Sequence, residues 1–248
     1  MPISPNQGST GGGTLVTITG TGLSNTSAVT FGTKPATSVT NVSATEVTAV
    51  SPSGTGTVGV TVTTSGGTSN PVSYFYVGAP FKSSLSATSG PLAGGDTVTI
   101  SGTGLSTATS VAFGANTATP TVTSDSSISV VVPAGAAAGP VGVSVTTAGG
   151  TNNGFSYTYV DVPTIGTITP DEGPTSGGTA ITITGTNLDS TDSVTVGGAT
   201  APFSVISATS LSVVTPPGTA GAADVVVTNE AGSATALGGF TYVDSPGI

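Results

Sequence analysis

With 248 residues, 2 basic and 11 acidic side chains, a formal net charge of −9 and neither histidine nor cysteine, the chain carries few charged groups. Only Lys34 and Lys82 could meet phosphates, so binding to nucleic acid or to an anionic membrane surface is disfavoured. The composition also excludes disulfides, thiolate metal sites and imidazole bases. No apolar stretch approaches the ~20 residues of a membrane span, so we expect neither a nucleic-acid partner nor membrane insertion.

The first predicted elements are short strands separated by turn residues. Residues 14–20 alternate Val16 and Ile18 with threonines, which is the pattern of a half-buried strand. The predicted strands of this region are 14–20, 28–31, 38–42, 46–51, 57–64 and 72–77. Val39, Val47 and Ala49 are expected to point inward. No stretch shows a helical period with caps.

The same pattern recurs twice along the chain. Gly12-Gly13 returns 82 residues later as Gly94-Gly95 and 83 residues after that as Gly177-Gly178. The Tyr-Val pair that ends the last predicted strand lies at residues 76–77, 159–160 and 242–243. A period of this size indicates an array of like modules. With six or seven short strands each, the modules are predicted to be β-sandwiches.

We predict three domains, at residues 1–78, 79–161 and 162–248. The linkers between them, 78–84 and 161–166, are short and contain Pro80 and Pro163. Short joints with proline are stiffer than linkers of glycine and serine, so an extended rod is expected. A domain of this size buries a modest core, and stacking against its neighbours would add stability.

A motif shared by the repeats resembles that of a known family. The pattern Pro-x-x-Gly-x-x-x-Gly-Gly-Thr, then a strand, then Gly-Thr-(Gly/Asn)-Leu, begins at Pro5 in the first copy and at Pro170 in the third. Over nearly its whole length the chain resembles the IPT/TIG family of immunoglobulin-like domains. The resemblance implies an all-β fold of three tandem early-set immunoglobulin-like sandwiches. It implies no single function, because such modules are grafted into many systems.

Catalytic chemistry has few candidates in this sequence. Without histidine or cysteine there is no Ser-His or Cys-His nucleophile pair. The eleven acids are mostly solitary and near turns, where solvated loop residues are the ordinary interpretation. We therefore expect a protein that is not an enzyme and that needs no cofactor.

One acidic group has a sharper interpretation. Asp161, Asp171 and Glu172 flank the second joint, where carboxylates could hold Ca²⁺ and stiffen it. The first joint has Gly78 and Ser89 at the corresponding places and no acid. A stiffening device should repeat at both joints, so solvated acids remain the favoured interpretation.

The aromatic residues of the last strand in each repeat allow two interpretations. They recur within residues 74–76, 155–159 and 240–242. They form either a platform that stacks against sugars or a strand whose alternate aromatics fill the sandwich, and the second is favoured because aromatics at a period of two ordinarily serve packing. Lys34 has no counterpart in the other repeats, so the isolated lysines are expected to be exposed rather than cross-linked to asparagine.

The two ends of the chain are complementary parts of one repeat. Residues 243–248 copy residues 160–165, which lead into the third repeat, and residues 1–5 fit the continuation at 166–170. Residues 163–170 are predicted to form the first strand of the third repeat, at the edge of its sandwich, and the first repeat has only residues 1–5 of that strand. The tail either completes the first strand of the next molecule by β-augmentation, or marks a segment cut from a longer array, or records a duplication boundary. In the first case the head-to-tail contact generates a filament. The residues assigned to this contact are Met1, Pro2, Ile3, Pro5, Val243, Pro246 and Ile248.

The leading hypothesis is a non-catalytic structural protein: a modular rod of a fibre, a surface appendage or the exterior of a virus-like particle. Its expected partners are copies of itself or other structural subunits. The alternatives are an adhesin or carbohydrate-binding stalk, with glycans as partners, and an accessory segment of a larger secreted enzyme. An extracellular, cell-surface or particle-exterior location is expected, although residues 1–14 hold no signal-like run of basic and then apolar residues.

Overall fold

A computed structural model describes residues 1–244 and Pro246. All of the regular secondary structure in that part of the chain is β-strand. The strands form six sheets, two in each repeat. The predicted all-β fold of three tandem immunoglobulin-like sandwiches is confirmed. Within the described residues no helix is long and apolar enough to cross a membrane.

The first repeat packs a four-stranded sheet against a six-stranded one. Its strands are β1 (Ile3–Ser4), β2 (Gln7–Ser9), β3 (Leu15–Thr19), β4 (Ala28–Phe31), β5 (Lys34–Pro35), β6 (Ser38–Ser43), β7 (Glu46–Val50), β8 (Gly56–Thr64), β9 (Gly67–Thr68) and β10 (Val72–Val77). One sheet has the order β1-β3-β7-β6, and the other has β2-β10-β8-β4-β5 with β9 beside β8. Both sheets contribute to one core cluster, which includes Val16, Ile18, Val47, Phe31, Val60 and Tyr74.

The predicted strands of this repeat all exist. Strands 28–31 and 72–77 have the observed bounds, and the other four differ by one residue at one or both ends. Val47 and Ala49 are buried as expected, and Val39 is half-buried at the margin of the core. β1 lies within residues 1–5, where part of a first edge strand is expected. β2, β5 and β9 were not predicted, because two or three residues are too few to show a period.

The second repeat has the same two sheets. Its strands are β11 (Phe81–Leu85), β12 (Ser89–Pro91), β13 (Thr97–Thr103), β14 (Ser110–Phe113), β15 (Asn116–Ala118), β16 (Thr121–Ser124), β17 (Ser127–Val131), β18 (Gly139–Thr147) and β19 (Gly150–Val160). Their orders are β11-β13-β17-β16 and β12-β19-β18-β14-β15. The internal repetition of sequence is therefore a repetition of topology.

The third repeat follows the same plan. Its strands are β20 (Thr164–Thr169), β21 (Glu172–Pro174), β22 (Ala180–Thr186), β23 (Ser193–Val196), β24 (Ala199–Thr200), β25 (Phe203–Ser207), β26 (Ser210–Val214), β27 (Gly221–Asn229) and β28 (Gly232–Val243). Their orders are β20-β22-β26-β25 and β21-β28-β27-β23-β24. The core again draws on both sheets, with Ile181, Ile183, Leu211, Val225, Val227 and Phe240 among its members.

The first strand of each repeat is divided between the two sheets. In the third repeat β20 pairs antiparallel with β22 at the edge of one sheet, and β21 then pairs parallel with β28 in the other. The sequence predicted a first edge strand at residues 163–170, and β20 confirms it. β11 and β12 of the second repeat, and β1 and β2 of the first, are divided in the same way.

The Gly-Gly pair of the motif makes a tight turn between these first strands and the next. Gly12 has a φ of +79°, and a Cβ on it would lie 2.6 Å from the backbone carbon of Pro52. Only glycine adopts such a dihedral at no steric cost and leaves room for the neighbouring backbone. Gly94 and Gly177 meet the equivalent backbone in their own repeats.

The chain divides into two compact units. One comprises Met1–Ser86, Thr97–Val131 and Gly142–Phe155. The other comprises Ala87–Asp96, Val132–Val141 and the chain from Ser156 onward. The division runs through the second repeat, so each unit holds one complete repeat and its joint to the second. The domain boundaries at 78/79 and 161/162 and the extended rod stay predictions.

Candidate functional site

The first joint is a packed part of its unit. Asn152 in β19 donates a hydrogen bond from Nδ2 to the Pro80 carbonyl oxygen at 2.6 Å. The turn after β18 approaches the linker so closely that a Cβ on Gly149 would collide with the Gly78 carbonyl oxygen. Pro80 itself is buried. The linker between β10 and β11 is therefore held by the repeat that follows it.

The second joint is held in the same manner by different side chains. Asn229, which is 4% exposed, donates from Nδ2 to the Asp161 carbonyl oxygen at 2.9 Å and to Ser190 Oγ at 3.0 Å. Asn187 donates to the Val162 carbonyl oxygen at 2.9 Å. Pro163 is buried, as Pro80 is in the first joint. In both joints a side-chain amide of the following repeat binds the backbone of the linker.

Beyond each linker, the incoming strand crosses the glycine that begins the Gly-Thr-(Gly/Asn) motif. The paired residues are Phe81↔Thr103 and Lys82↔Gly102 in the second repeat, and Thr164↔Thr186 and Ile165↔Gly185 in the third. A Cβ on Gly102 would collide with the Phe81 carbonyl oxygen, and one on Gly185 would collide with that of Thr164. Glycine is needed at both positions because a backbone carbonyl lies directly above.

The proposed calcium ligands occupy separate places around the second joint. Asp161 Oδ1 accepts a hydrogen bond from the backbone N–H of Val162 at 2.9 Å. Asp171 and Glu172 are exposed at the start of β21. Among the described residues, no three His, Cys, Asp or Glu side chains are grouped so that they could hold a metal ion. Both interpretations of these acids, as calcium ligands or as the favoured solvated side chains, stay predictions.

Of the residues assigned to head-to-tail contact at the start of the chain, Ile3 belongs to β1 and the other three flank this strand. Ile3 is 8% exposed and pairs with Ile18. The Pro2 carbonyl accepts a hydrogen bond from the N–H of Thr19 at 3.1 Å. Met1 and Pro5 are exposed. Of the four, Ile3 therefore serves the core, and the other three are accessible.

At the end of the chain, Val243 closes β28 and is 47% exposed. Pro246 is exposed and lines a shallow groove with Glu172 and Pro174. Ile248 lies outside the described residues. The participation of all seven residues in self-assembly stays a prediction.

The aromatic strands fill the sandwiches, which confirms the packing interpretation. Tyr74, Tyr157, Tyr159, Phe240 and Tyr242 are at most 2% exposed. Tyrosine hydroxyls tie the strand to a loop: that of Tyr159 donates to the Pro133 carbonyl at 2.7 Å, and that of Tyr242 to the Pro216 carbonyl at 2.6 Å. Burial is the main cause that raises the pKa of Tyr157 to about 12.

The two lysines have opposite environments. Lys82 is 6% exposed, donates from Nζ to the Val143 carbonyl at 2.6 Å, and lies 5.2 Å from the ring centroid of Phe155. The expectation that it would be exposed is wrong, because its position in β11 points its stem into the sandwich. Burial lowers the pKa of its ammonium group. Lys34 is exposed and donates to the Ser53 carbonyl at 2.9 Å.

Lys34 also borders a cleft at one end of the first sandwich. The cleft has a volume of about 390 Å³ and is lined by Phe31, Ser53 and Tyr76, among others. The Tyr76 hydroxyl donates to the Pro52 carbonyl at 2.8 Å. This is a concave surface with a cation, hydroxyl groups and ring edges, which are groups that bind polar small molecules.

Comparison with family profiles accounts for almost all of the chain. The profile of the IPT/TIG domain matches residues 1–76, 80–159 and 163–242. A comparison with curated protein sequences gives no significant match.

Several solved structures are similar to this chain. The full extracellular region of plexin A4 aligns with a TM-score of 0.51 and 24% identity, over 87% of this chain and 20% of that one. The Bacteroides ovatus protein SGBP-B from a mixed-linkage glucan utilization locus, in complex with a heptasaccharide, aligns with a TM-score of 0.30 and 17% identity over 96% and 66%. The I9–I11 tandem of titin gives 0.35 and 7% over 96% of both chains. The chain thus spans one fifth of the plexin region, and at this identity the likeness shows the fold alone.

Proposed function

The chain belongs to the IPT/TIG domain family, and we propose that it is a non-catalytic structural protein, a modular rod of a fibre, a surface appendage or the exterior of a virus-like particle. Its partners are copies of itself met head to tail, or other structural subunits. An extracellular or particle-exterior position belongs to the same proposal. The observation that carries it is the construction of the joints, where the proline of each linker is buried and a linker carbonyl is hydrogen-bonded by the repeat that follows.

A joint of this kind couples neighbouring repeats, whereas a glycine-serine tether leaves them independent. Pro80 and Pro163 are both buried, and Asn152 and Asn229 bind linker carbonyls. Repeats that contact their neighbours in this way share interface stability along an array. Such coupling suits a protein that transmits force or maintains spacing.

The sheet edges also favour association. β6, β16 and β25 are the last strands of their sheets, and each exposes apolar side chains. The exposed residues are Val42, Val122, Val205 and Ile206. Natural edge strands are commonly protected by lysine or proline, and these three strands contain neither residue. Lateral packing between copies is consistent with such edges.

The test is electron microscopy of the purified chain together with sedimentation velocity over a concentration series. We expect concentration-dependent filaments, and we expect deletion of residues 246–248 to abolish them. The matched control is Asn70→Ala, which changes an exposed residue away from the termini. Unchanged assembly after the deletion would contradict the head-to-tail version of the proposal.

The cleft beside Tyr76 supports a second candidate function, a carbohydrate-binding stalk. Lys34 and Ser53 provide polar groups at its rim, and the rings of Phe31 and Tyr76 form part of its wall. A glycan array probed with the wild-type chain and with Lys34→Ala tests this candidate. Binding that Lys34→Ala weakens would support it, and an array without any signal would count against it.

A further inference from the structure

Each of the last two repeats receives the segment that precedes it on the same three features. The first is the glycine that begins the Gly-Thr-(Gly/Asn) motif, together with its threonine. The second is the last residue of the same motif, Gly104 or Asn187. The third is the end of β18 or β27 with the turn that follows it. In the second repeat a Cβ on Gly104 would lie 3.6 Å from Pro80 Cα, and one on Gly149 would collide with Gly78. In the third, Asn187 and Asn229 bind the linker carbonyls. The receiving surface is thus filled twice within this chain.

The corresponding features of the first repeat line an open cleft. The counterparts of Gly104 and Gly149 are Gly22 and Gly66, and both border a cleft of about 310 Å³. Other lining residues include Met1, Thr21, Leu23, Thr64, Thr68 and Ser69. The first repeat therefore has the same receiving surface, but the described residues leave it accessible.

Gly20 is the clearest sign that this surface takes an extended segment. It is the counterpart of Gly102 and Gly185, where glycine is required by a carbonyl of the incoming strand. On Gly20 a Cβ would meet only side-chain atoms, Met1 Cγ at 2.9 Å and Met1 Sδ and Leu23 Cδ1 farther away. The Met1 side chain is exposed and methionine has three rotatable bonds with which to move aside, so no backbone atom of the described chain requires glycine at this position. A strand lying above Gly20 would supply that reason.

Resting on the head-to-tail association proposed above, we propose that this cleft and the Gly20–Thr21 edge are the docking site for residues 243–248 of a second copy. This segment, Val-Asp-Ser-Pro-Gly-Ile, shares the Val-x-x-Pro pattern of residues 77–80 and 160–163, which fill the two internal joints. Pro246 is exposed, whereas its counterparts Pro80 and Pro163 are buried. The occupant is thus a third copy of a segment that the fold already seats twice.

The phase of the repeats fixes how the segment lies. Pro246 seats beside Gly22, as Pro80 lies beside Gly104. Gly247 pairs with Thr21 in phase with Phe81 and Thr164, and Ile248 pairs with Gly20 in phase with Lys82 and Ile165. The Ile165 side chain packs against the core of its repeat, so Ile248 adds an apolar side chain to the margin of the first sandwich. Met1 then takes the bulge position between the two segments, and its side chain moves aside.

The experiment uses Gly20→Ala in the full chain, with Gly142→Ala as the control. A Cβ on Gly142 would meet nothing within 4 Å. Sedimentation velocity measures assembly of the two variants and the wild type, and thermal unfolding verifies that each is folded. A labelled hexapeptide of residues 243–248 is then titrated against a chain that lacks residues 246–248, with and without Gly20→Ala. A scrambled hexapeptide of the same composition is the reference probe.

We expect Gly20→Ala to keep the wild-type melting temperature and to lose both self-assembly and at least tenfold in hexapeptide affinity, because a Cβ there occupies the place of a carbonyl. Gly142→Ala should assemble as the wild type does. Wild-type assembly by Gly20→Ala, or equal binding of the scrambled peptide, would overturn the docking site while leaving the structural function in place. A wild-type chain that stays monomeric but binds the hexapeptide through Gly20 would support the site and refute the polymer.

Discussion

Asn229 is the residue through which the second joint can be tested most directly. It lies at the end of β27, is 4% exposed, and uses all of its side-chain polar groups. Nδ2 donates to the Asp161 carbonyl and to Ser190 Oγ, and Oδ1 accepts from the backbone N–H groups of Ala231 and Gly232 at 2.9 and 3.1 Å. Replacement by alanine removes four hydrogen bonds from one site and releases the linker.

The expected cost follows from those four bonds. A hydrogen bond contributes about 0.5–1.5 kcal/mol net, and more where a partner is left buried and unsatisfied. The N–H groups of the turn can rehydrate after the substitution, so we take the lower part of the sum and expect Asn229→Ala to lower the free energy of unfolding by about 2–4 kcal/mol. Among the groups that bond to Asn229, the Asp161 carbonyl is expected to account for most of this cost, because it lies within the joint.

Urea denaturation followed by circular dichroism measures this change, and hydrogen exchange locates it. We expect faster exchange in the linker and in the ends of β27 and β28, with the strands of the first repeat unchanged. Asn70→Ala is the matched control, since Asn70 is exposed and surface substitutions usually stay within about 0.5 kcal/mol. An Asn229→Ala variant as stable as this control would refute the conclusion that side-chain amides hold the joints.

The remaining predictions concern the close backbone crossings, the buried tyrosines and the buried lysine. Gly102→Ala and Gly185→Ala should each destabilise the chain by about 1–3 kcal/mol through overpacking, whereas Gly142→Ala should not; equal midpoints of all three in urea would contradict the close crossings. Tyr242→Phe removes the hydroxyl bound to the Pro216 carbonyl and should cost about 1 kcal/mol, measured as a lower denaturation midpoint. Because burial raises the pKa of Tyr157 to about 12, the unfolded chain ionises first above pH ~10. Stability should therefore be complete below that pH and fall as the pH rises towards 12; a constant urea midpoint over this range would contradict it. Lys82, whose pKa is lowered by burial, works in the opposite direction, so Lys82→Met should make the alkaline loss steeper.

Much of the fold follows from the sequence because its signals recur. A period of alternating threonine and valine marks β3, β7 and β8, and the threefold repetition distinguishes a chain of sandwiches from a single large sheet. The period of two assigns the aromatic strand to packing, and the burial of Tyr74 and Phe240 agrees with that assignment. The short strands β2, β5 and β9 could not be predicted, because their pairing depends on tertiary contacts and not on a local pattern.

The side chains that hold the joints were missed for a different reason. Asn152 binds the first linker and Asn229 the second, yet they stand at different positions of their repeats. The counterpart of Asn229 in the second repeat is Thr147, which bonds within its own turn. Contacts made differently in each copy leave no recurring residue in the sequence. Glu230 accepts a hydrogen bond from Ser89 at 3.0 Å. This contact also leaves no recurring residue, so in the sequence Glu230 looks like a solitary acid.

Lys82 shows how a repeat can conceal an exception. Its counterpart in the third repeat is Ile165, an apolar residue at the margin of the core. The lysine occupies the same buried place and extends its ammonium group to the Val143 carbonyl. Composition alone predicted an exposed cation, since lysines are rarely buried. The pairing of β11 with β13 shows that this position points inward. The sequence alone did not predict that pairing.

The central claim is that copies of the chain associate head to tail through the edge at Gly20. Sedimentation velocity of the wild-type chain and of its Gly20→Ala variant tests this claim most directly, because both proteins have the same tail and differ only at the edge that receives it. We expect species that grow with concentration in the wild type and a monomer at every concentration in the variant. Identical sedimentation of the two, whether both assemble or both remain monomeric, would contradict the claim.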